Sequence, residues 1–204
     1  MIANLKRNLR RRCTMLAGCL LVALAAMPAA NAMEPTDISK PVLLVANPKL
    51  GEFYGHTVLI VRPVGDDQHI GFIVNRPTKM TLGKLFPDHE PSTKVKDPVF
   101  LGGPANVGMI FAMVQRDGSP GGKSLPLMDH LFVAVDEETV DKIIEHESDH
   151  ARFFAGFVAW KPGELADEVR RGLWFVMEPD SRLLFRDSMD GLWDELVMRT
   201  RGAI

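Results

Sequence analysis

From residue 41 onward the chain alternates short apolar runs with breaks rich in proline, glycine and aspartate. Residues 41–46 carry Val42, Leu43, Leu44 and Val45 in succession, the pattern of a buried strand, and Asn47-Pro48 closes it. Residues 56–63 predict a second strand, Gly65-Asp66-Asp67 a turn and residues 68–75 a third strand. Runs this close together predict an antiparallel pair. Arg76-Pro77 ends the third strand, because proline restricts the residue before it and donates no ladder hydrogen bond. Thr81 then predicts the N-cap of a short helix through Leu82 and Leu85, and residues 87–98 read as a polar loop.

Further strands are expected at 99–101 and 109–114, on either side of Gly102-Gly103-Pro104, and the polar, glycine- and proline-rich stretch 117–126 predicts a mobile loop. Residues 131–135 form a short strand candidate. Asp136 caps a helix whose Val140, Ile143 and Ile144 share one face. Residues 153–160 are too apolar for a surface strand and should lie centrally. The remaining segments predict a helix over 162–171, a strand over 173–177 and a closing helix over 189–199. Strands first, then strands mixed with single helices, is an α+β order, and no Rossmann or Walker signature is present.

The first residues follow a different pattern. Lys6, Arg7, Arg10, Arg11 and Arg12 stand without an acid before an apolar run over 13–27, and Ala30-Asn31-Ala32 follows Pro28. This layout predicts a cleavable signal peptide over 1–32 and one mature domain over 33–204, periplasmic or secreted. The run is short of the roughly 20 apolar residues of a membrane span, so no transmembrane anchor is expected after cleavage. Leu16-Ala17-Gly18-Cys19 spells a lipobox, but most of the apolar run follows Cys19, which argues against lipidation. Arg10-Arg11-Arg12 leaves the general and twin-arginine export routes both open. The alternative to export is translation from Met33, which would make the protein cytoplasmic.

Composition narrows the function classes. The chain has 204 residues, 46% hydrophobic and 25% charged, with two cysteines and a net charge of -2, which excludes a disordered chain, a collagen-like chain and a disulfide scaffold. Removing residues 1–32 takes away five cations and no acid, leaving -7. Such a domain is a poor partner for a phosphate backbone, so no direct nucleic-acid contact is expected. Cys13 and Cys19 both lie in the leader, so the mature domain has neither a disulfide nor a thiol nucleophile.

Several motifs recur in a telling order: Gly71-Phe72-Ile73-Val74-Asn75-Arg76-Pro77-Thr78, Thr81-Leu82, Val99-Phe100-Leu101-Gly102-Gly103-Pro104, Trp160-Lys161-Pro162-Gly163-Glu164-Leu165 with Glu168, and Gly172-Leu173-Trp174. Together they resemble the YqgE/AlgH family, from about residue 41 to the C-terminus. The resemblance implies a compact α+β fold in which bent, mostly antiparallel sheets close into a partial barrel with flanking helices. It implies no established activity, although members are often labelled putative transcriptional regulators. Members usually look cytosolic, so the leader is a departure. Glu164 stands where the family commonly has glutamine, and Val158-Ala159 where it has Ala-Gly.

Four groups of residues are candidates for chemistry. Asn75-Arg76 with Gly102-Gly103 would pair a guanidinium with backbone amides, a combination that binds carboxylate or phosphate, and Trp160 would extend that surface. His146-Glu147-Ser148-Asp149-His150 is an H-E-x-x-H string, in which two histidines one helical turn apart ligate zinc and the glutamate activates water. Glu164 or Glu168 would be its third ligand. His56 is a candidate general base without an evident nucleophile partner. Glu164 and Glu168, one turn apart, would share a proton or a cation, or pair with Lys161, Arg170 or Arg171 on a solvated face.

The expectation is an exported, non-enzymatic binding or interaction module without catalytic residues or cofactor, taking an unknown protein or a small anionic ligand at Asn75, Arg76, Gly102, Gly103 and Trp160. One alternative is a cytosolic regulator that starts at Met33 and acts through proteins. The other is a metal-dependent hydrolase using His146 and His150 with Glu164.

Overall fold

A computed structural model describes residues 37–202. The signal-peptide reading of 1–32, the lipobox cysteine and the Met33 start all lie outside the described residues. Within them the strands are β1 (Val42–Ala46), β2 (Val58–Gly65), β3 (Gln68–Ile73), β4 (Pro77–Thr81), β5 (Pro98–Leu101), β6 (Ala105–Gln115), β7 (Ser124–Met128), β8 (Leu131–Ala134), β9 (Ala151–Trp160) and β10 (Trp174–Met177). The helices are α1 (Leu82–Leu85), α2 (Glu90–Lys94), α3 (Glu137–His146), α4 (Glu164–Arg170) and α5 (Leu192–Gly202).

The strands run in the order β10-β1-β2-β3-β9-β6-β8-β7, with every neighbour antiparallel. The β4–β5 pair joins this path through a parallel contact of β5 with β9. The sheet is strongly curled into a half-barrel, and across the open side the Arg62 guanidinium of β2 donates to the carbonyl of Pro126 in β7.

Side-chain alternation explains why β1 reads as an unbroken apolar run. Leu43 and Val45 face the inside of the curl with Ile60, Phe72, Met113, Phe154 and Leu196. Val42, Leu44 and Ala46 face outward into a second core with Leu59, Ile73, Trp160, Leu165 and Trp174, which α4 covers. A third cluster under α3 joins Val114, Phe153, Ile143 and Ile144 with Leu82 and Val99. The β2–β3 hairpin turns at Asp66 and Asp67, with φ of 47° and 57°. Two left-handed central residues match the right-handed twist of the flanking strands.

Two sequence expectations need correction. Residues 87–98 are not wholly loop, because α2 forms there with Pro91 in its first turn, too short a helix to leave a periodic signature. The stretch 117–126 ends in strand, since β7 begins at Ser124 and buries Leu127; its Pro126 is tolerated because β7 lies at the end of the sheet. The third strand ends before Arg76-Pro77 as expected, and Pro77 opens β4, an edge position where the missing amide costs no ladder bond.

The curl turns on one crossing. Along one edge β9 pairs with β5 through residue 155 and with β3 from residue 158, while β6 pairs along its other edge as far as Phe157, and between the β5 and β3 stretches Gly156 adopts φ 69°. Gly102 and Gly103 pass directly over this point: the Gly102 amide donates to Ala155 O at 2.9 Å and its carbonyl accepts from the Ile73 amide at 2.8 Å. A Cβ on Gly102 would meet the Gly156 carbonyl, and one on Gly103 would fall onto the backbone of Phe157. Neither neighbour is a flexible side chain that can yield. Gly103→Ala is therefore expected to destabilise the domain by about 3 kcal/mol or more in urea unfolding. Gly108→Ala, with open space at the Cβ position, is expected to stay within about 0.5 kcal/mol of the parent. Equal stability of the two variants would refute the crossing as a constraint.

Candidate functional site

Asn75 and Arg76 follow β3 and face the segment before β2. The Asn75 side chain accepts from the Val58 amide and donates to His56 O, both at 2.9 Å, replacing a rung that β2 and β3 cannot make where they diverge. The Arg76 guanidinium donates to the carbonyls of Phe53 and Gly55 and stacks on the Phe53 ring, 4.8 Å from its centroid. Burial pulls the Arg76 pKa below its ordinary value, with Tyr54 opposing.

Gly102 lies close to Arg76, whose carbonyl accepts from the Leu101 amide at 2.9 Å, but the Gly102 amide is taken by Ala155. Gly102 thus adjoins the Arg76 backbone, but the Asn75 and Arg76 side chains are turned to residues 53–58 and the Gly102 amide to β9. Trp160 sits apart from them, buried four residues beyond Gly156 on β9.

Trp160 belongs to a different arrangement. One carboxylate oxygen of Glu168 accepts both the Trp160 indole N–H at 2.9 Å and the Trp174 indole N–H at 2.7 Å. It thereby ties α4 to β9 and β10. Glu164 accepts from the Lys161 amide at 2.9 Å and closes the turn into α4. Among the described residues no Lys, Arg or His forms an ion pair with Glu164 or Glu168. Tyr54 packs edge-on against Trp174 at 5.9 Å, and its hydroxyl pKa is raised, first by burial and then by Glu168 and Glu164. His56 adopts φ 58° and lies against Trp193, ring centroids 4.1 Å apart, while the Trp193 indole donates to Ala46 O.

The H-E-x-x-H string does not form a zinc helix. α3 ends at His146, Glu147 is its C-cap, and residues 148–150 turn as a 3-10 segment, so the histidines do not stack one turn apart. Arg116 holds Glu147 at 2.6 Å, and His146 is exposed beside Glu145. Among the described residues no group of three His, Cys, Asp or Glu is placed to hold a metal ion.

The sequence reading missed a partly apolar cleft of about 460 Å³ between the α1–α2 segment, β6 and α3. Phe86, Met109, Ile110, Val140 and Ile144 form its apolar lining, and His89, Glu137 and Asp141 are its titratable members. Its mouth is shaped by a bulge in β6. Ala105 pairs with Phe157 and Ile110 with Ala155, so four residues of β6 lie opposite one of β9, and Asn106 turns at φ 50°. Val107 and Met109 stand exposed as a result. Their apolar character amid turn residues was the one sequence signal available. Asp136 caps the wall helix by accepting from the Thr139 amide and hydroxyl and also accepts from the Lys123 amide. Its burial opposes ionisation, but these hydrogen bonds prevail and hold its pKa below the ordinary carboxylate value.

The AlgH-like family model, DUF179, matches residues 43–204. The chain belongs to the AlgH-like family. A UPF0301 protein of Streptomyces coelicolor is 28% identical over 165 residues, covering 78% of this chain and 86% of that one. Another, from Methylococcus capsulatus, is 29% identical over 157 residues, covering 74% and 86%.

Two solved structures share the fold. The crystal structure of DIP2367 from Corynebacterium diphtheriae superposes with a TM-score of 0.66 at 23% identity, covering 83% of this chain and 91% of that one. The solution structure of AlgH from Pseudomonas aeruginosa gives 0.65 at 17% identity, covering 87% and 94%. The partial barrel that the family resemblance implied is thus the fold of this AlgH-like chain.

Removing Glu168 would leave two indole donors inside the domain without an acceptor. Glu168→Ala is expected to cost about 2–4 kcal/mol and to change the tryptophan emission of the folded protein, with Glu168→Gln losing clearly less because its amide oxygen still accepts. Equal losses for the two variants in chemical denaturation would contradict the bridging role.

Proposed function

We propose that this AlgH-like protein is a non-enzymatic interaction module that works outside the cytoplasm. The observation that carries this reading is where polarity and apolarity are placed. The polar motif residues Asn75, Arg76, Glu164 and Glu168 satisfy backbone and indole groups, while bulky apolar side chains stand exposed around the α3 cleft. That combination suits association more than bond chemistry. The cleft is favoured over the Asn75-Arg76 turn as the binding surface, because the guanidinium there is already directed at carbonyls of its own chain.

The site of action follows from the first 32 residues, whose basic and apolar halves and Ala30-Asn31-Ala32 end support export. Among the described residues no helix is long and apolar enough to cross a membrane. A second reading, a cytosolic regulator acting through proteins, is favoured by Met33-Glu34-Pro35, a workable start of translation.

Fractionation of the native host, with intact mass and N-terminal residue read by mass spectrometry, separates the two. The export reading expects protein outside the cytoplasm that begins at Met33 and carries neither formyl nor lipid. Cytoplasmic protein would overturn it in favour of the regulator.

A further inference from the structure

We propose that the α3 cleft receives a protein segment presenting a bulky apolar side chain flanked by lysine or arginine. The proposal rests on the interaction-module reading and adds the chemistry of the partner.

The apolar half of the argument is the concentration of exposed side chains. Met80, Leu85, Phe86, Val107 and Met109 all lie on β4, α1 with its C-cap, or the β6 bulge; Val107 is 55% and Met109 47% exposed. Phe86 and Met109 line the cleft itself. The patch therefore extends beyond an opening that is large enough for an anchoring side chain. Met80, Leu85 and Val107 do not line the cleft, so a small molecule seated in it would leave them uncovered, whereas a polypeptide segment has the length to reach beyond the lining. Methionines at such a surface adapt to the shape of an anchor.

The charged half comes from the α3 wall. Glu137 and Asp141 are one helical turn apart, alongside Val140 and Ile144, and neither has an ion-pair partner among the described residues. A favourable interaction with the helix dipole accounts for Glu137 in the first turn but not for Asp141. Three nearby lysines are engaged elsewhere: Lys142 holds Glu138 at 2.6 Å, Lys94 holds Glu90 at 2.7 Å, and Lys84 donates to Lys79 O, whereas Lys123 lines the adjoining groove with Glu137 and Asp141 and bonds neither. His89 faces the cleft with its Nδ1 against Ser92 Oγ at 2.7 Å. The rim thus offers two unpaired carboxylates beside an apolar floor, which complements a cation flanking an apolar anchor.

The test uses the protein purified from its own host and follows backbone amide shifts. The probes are a leucine–lysine model peptide, a leucine–glutamate peptide of the same length, and dodecylamine as a small cationic amphiphile. The leucine–lysine peptide is expected to shift Met109, Ile110, Val140 and Ile144 and to bind about tenfold tighter than its acidic counterpart. Met109→Asp, at a position 47% exposed where the melting curve is expected to stay close to the parent's, is expected to weaken it about tenfold or more. Glu137→Lys combined with Asp141→Lys should reverse the preference between the peptides. Equal binding of the two peptides, shifts away from the cleft, or dodecylamine binding more tightly than the basic peptide would overturn the proposal.

A photo-cross-linking residue at position 109 in the native host separates this failure from that of the wider reading. Adducts with protein segments bearing apolar residues next to Lys or Arg support the proposal. Adducts with segments lacking them overturn the partner chemistry alone, and no protein adduct overturns the interaction-module reading as well.

Discussion

The architecture depends on backbone touching backbone where Gly102-Gly103 crosses β9. One strand serves two halves of a curled sheet, and a strand can change partners midway only if its backbone turns and another segment fills the gap. Gly156 makes the turn with φ 69°, and Gly102 fills the gap by bonding Ala155 on one side and Ile73 on the other. No side chain fits at the crossing, so the contact is bought with the conformational entropy of three glycines. From it follow the curl, the enclosure of the Phe72–Phe111–Phe154 aromatic cluster and the placement of β4–β5 beside β9.

The same logic extends to the polar motif residues. Asn75 stands in for a missing ladder rung, Arg76 gathers the carbonyls of the turn at residues 53–55, and Glu168 satisfies two indoles at once. Each solves a local hydrogen-bonding problem created by a bend or by a buried aromatic residue. These motif residues hold the fold, and the exposed apolar side chains of the cleft lie outside them. The cleft lies where the β6 bulge pushes apolar side chains outward, a position set by backbone irregularity.

How much of this was legible beforehand depended on the kind of signal. β1 and β9 were readable because long apolar runs have few alternatives to burial, and Asp136 capped α3 as its position before Val140 and Ile143 implied. α2 and β7 were hidden because each is only five residues long and contains proline, which sequence patterns read as a break. Gly102-Gly103 signalled a close approach but not what approached, since Phe157 is more than fifty residues away in the chain. The H-E-x-x-H string misled because spacing along the chain implies one helical face only while the helix continues, and α3 stops at His146. The cleft was hardly legible: Val107 and Met109 hinted at it, but Phe86, Met109 and Ile144 come together only through the fold.

The claim that the crossing holds the two halves of the sheet together is tested most directly by native-state hydrogen exchange at the Ile73 and Gly102 amides. If the crossing is the constraint described, both should exchange only through global unfolding, with protection matching core amides such as Leu44 and Leu59. Exchange of either amide through a local opening well below the global unfolding free energy would contradict it, because the sheet would then keep its curl without this contact.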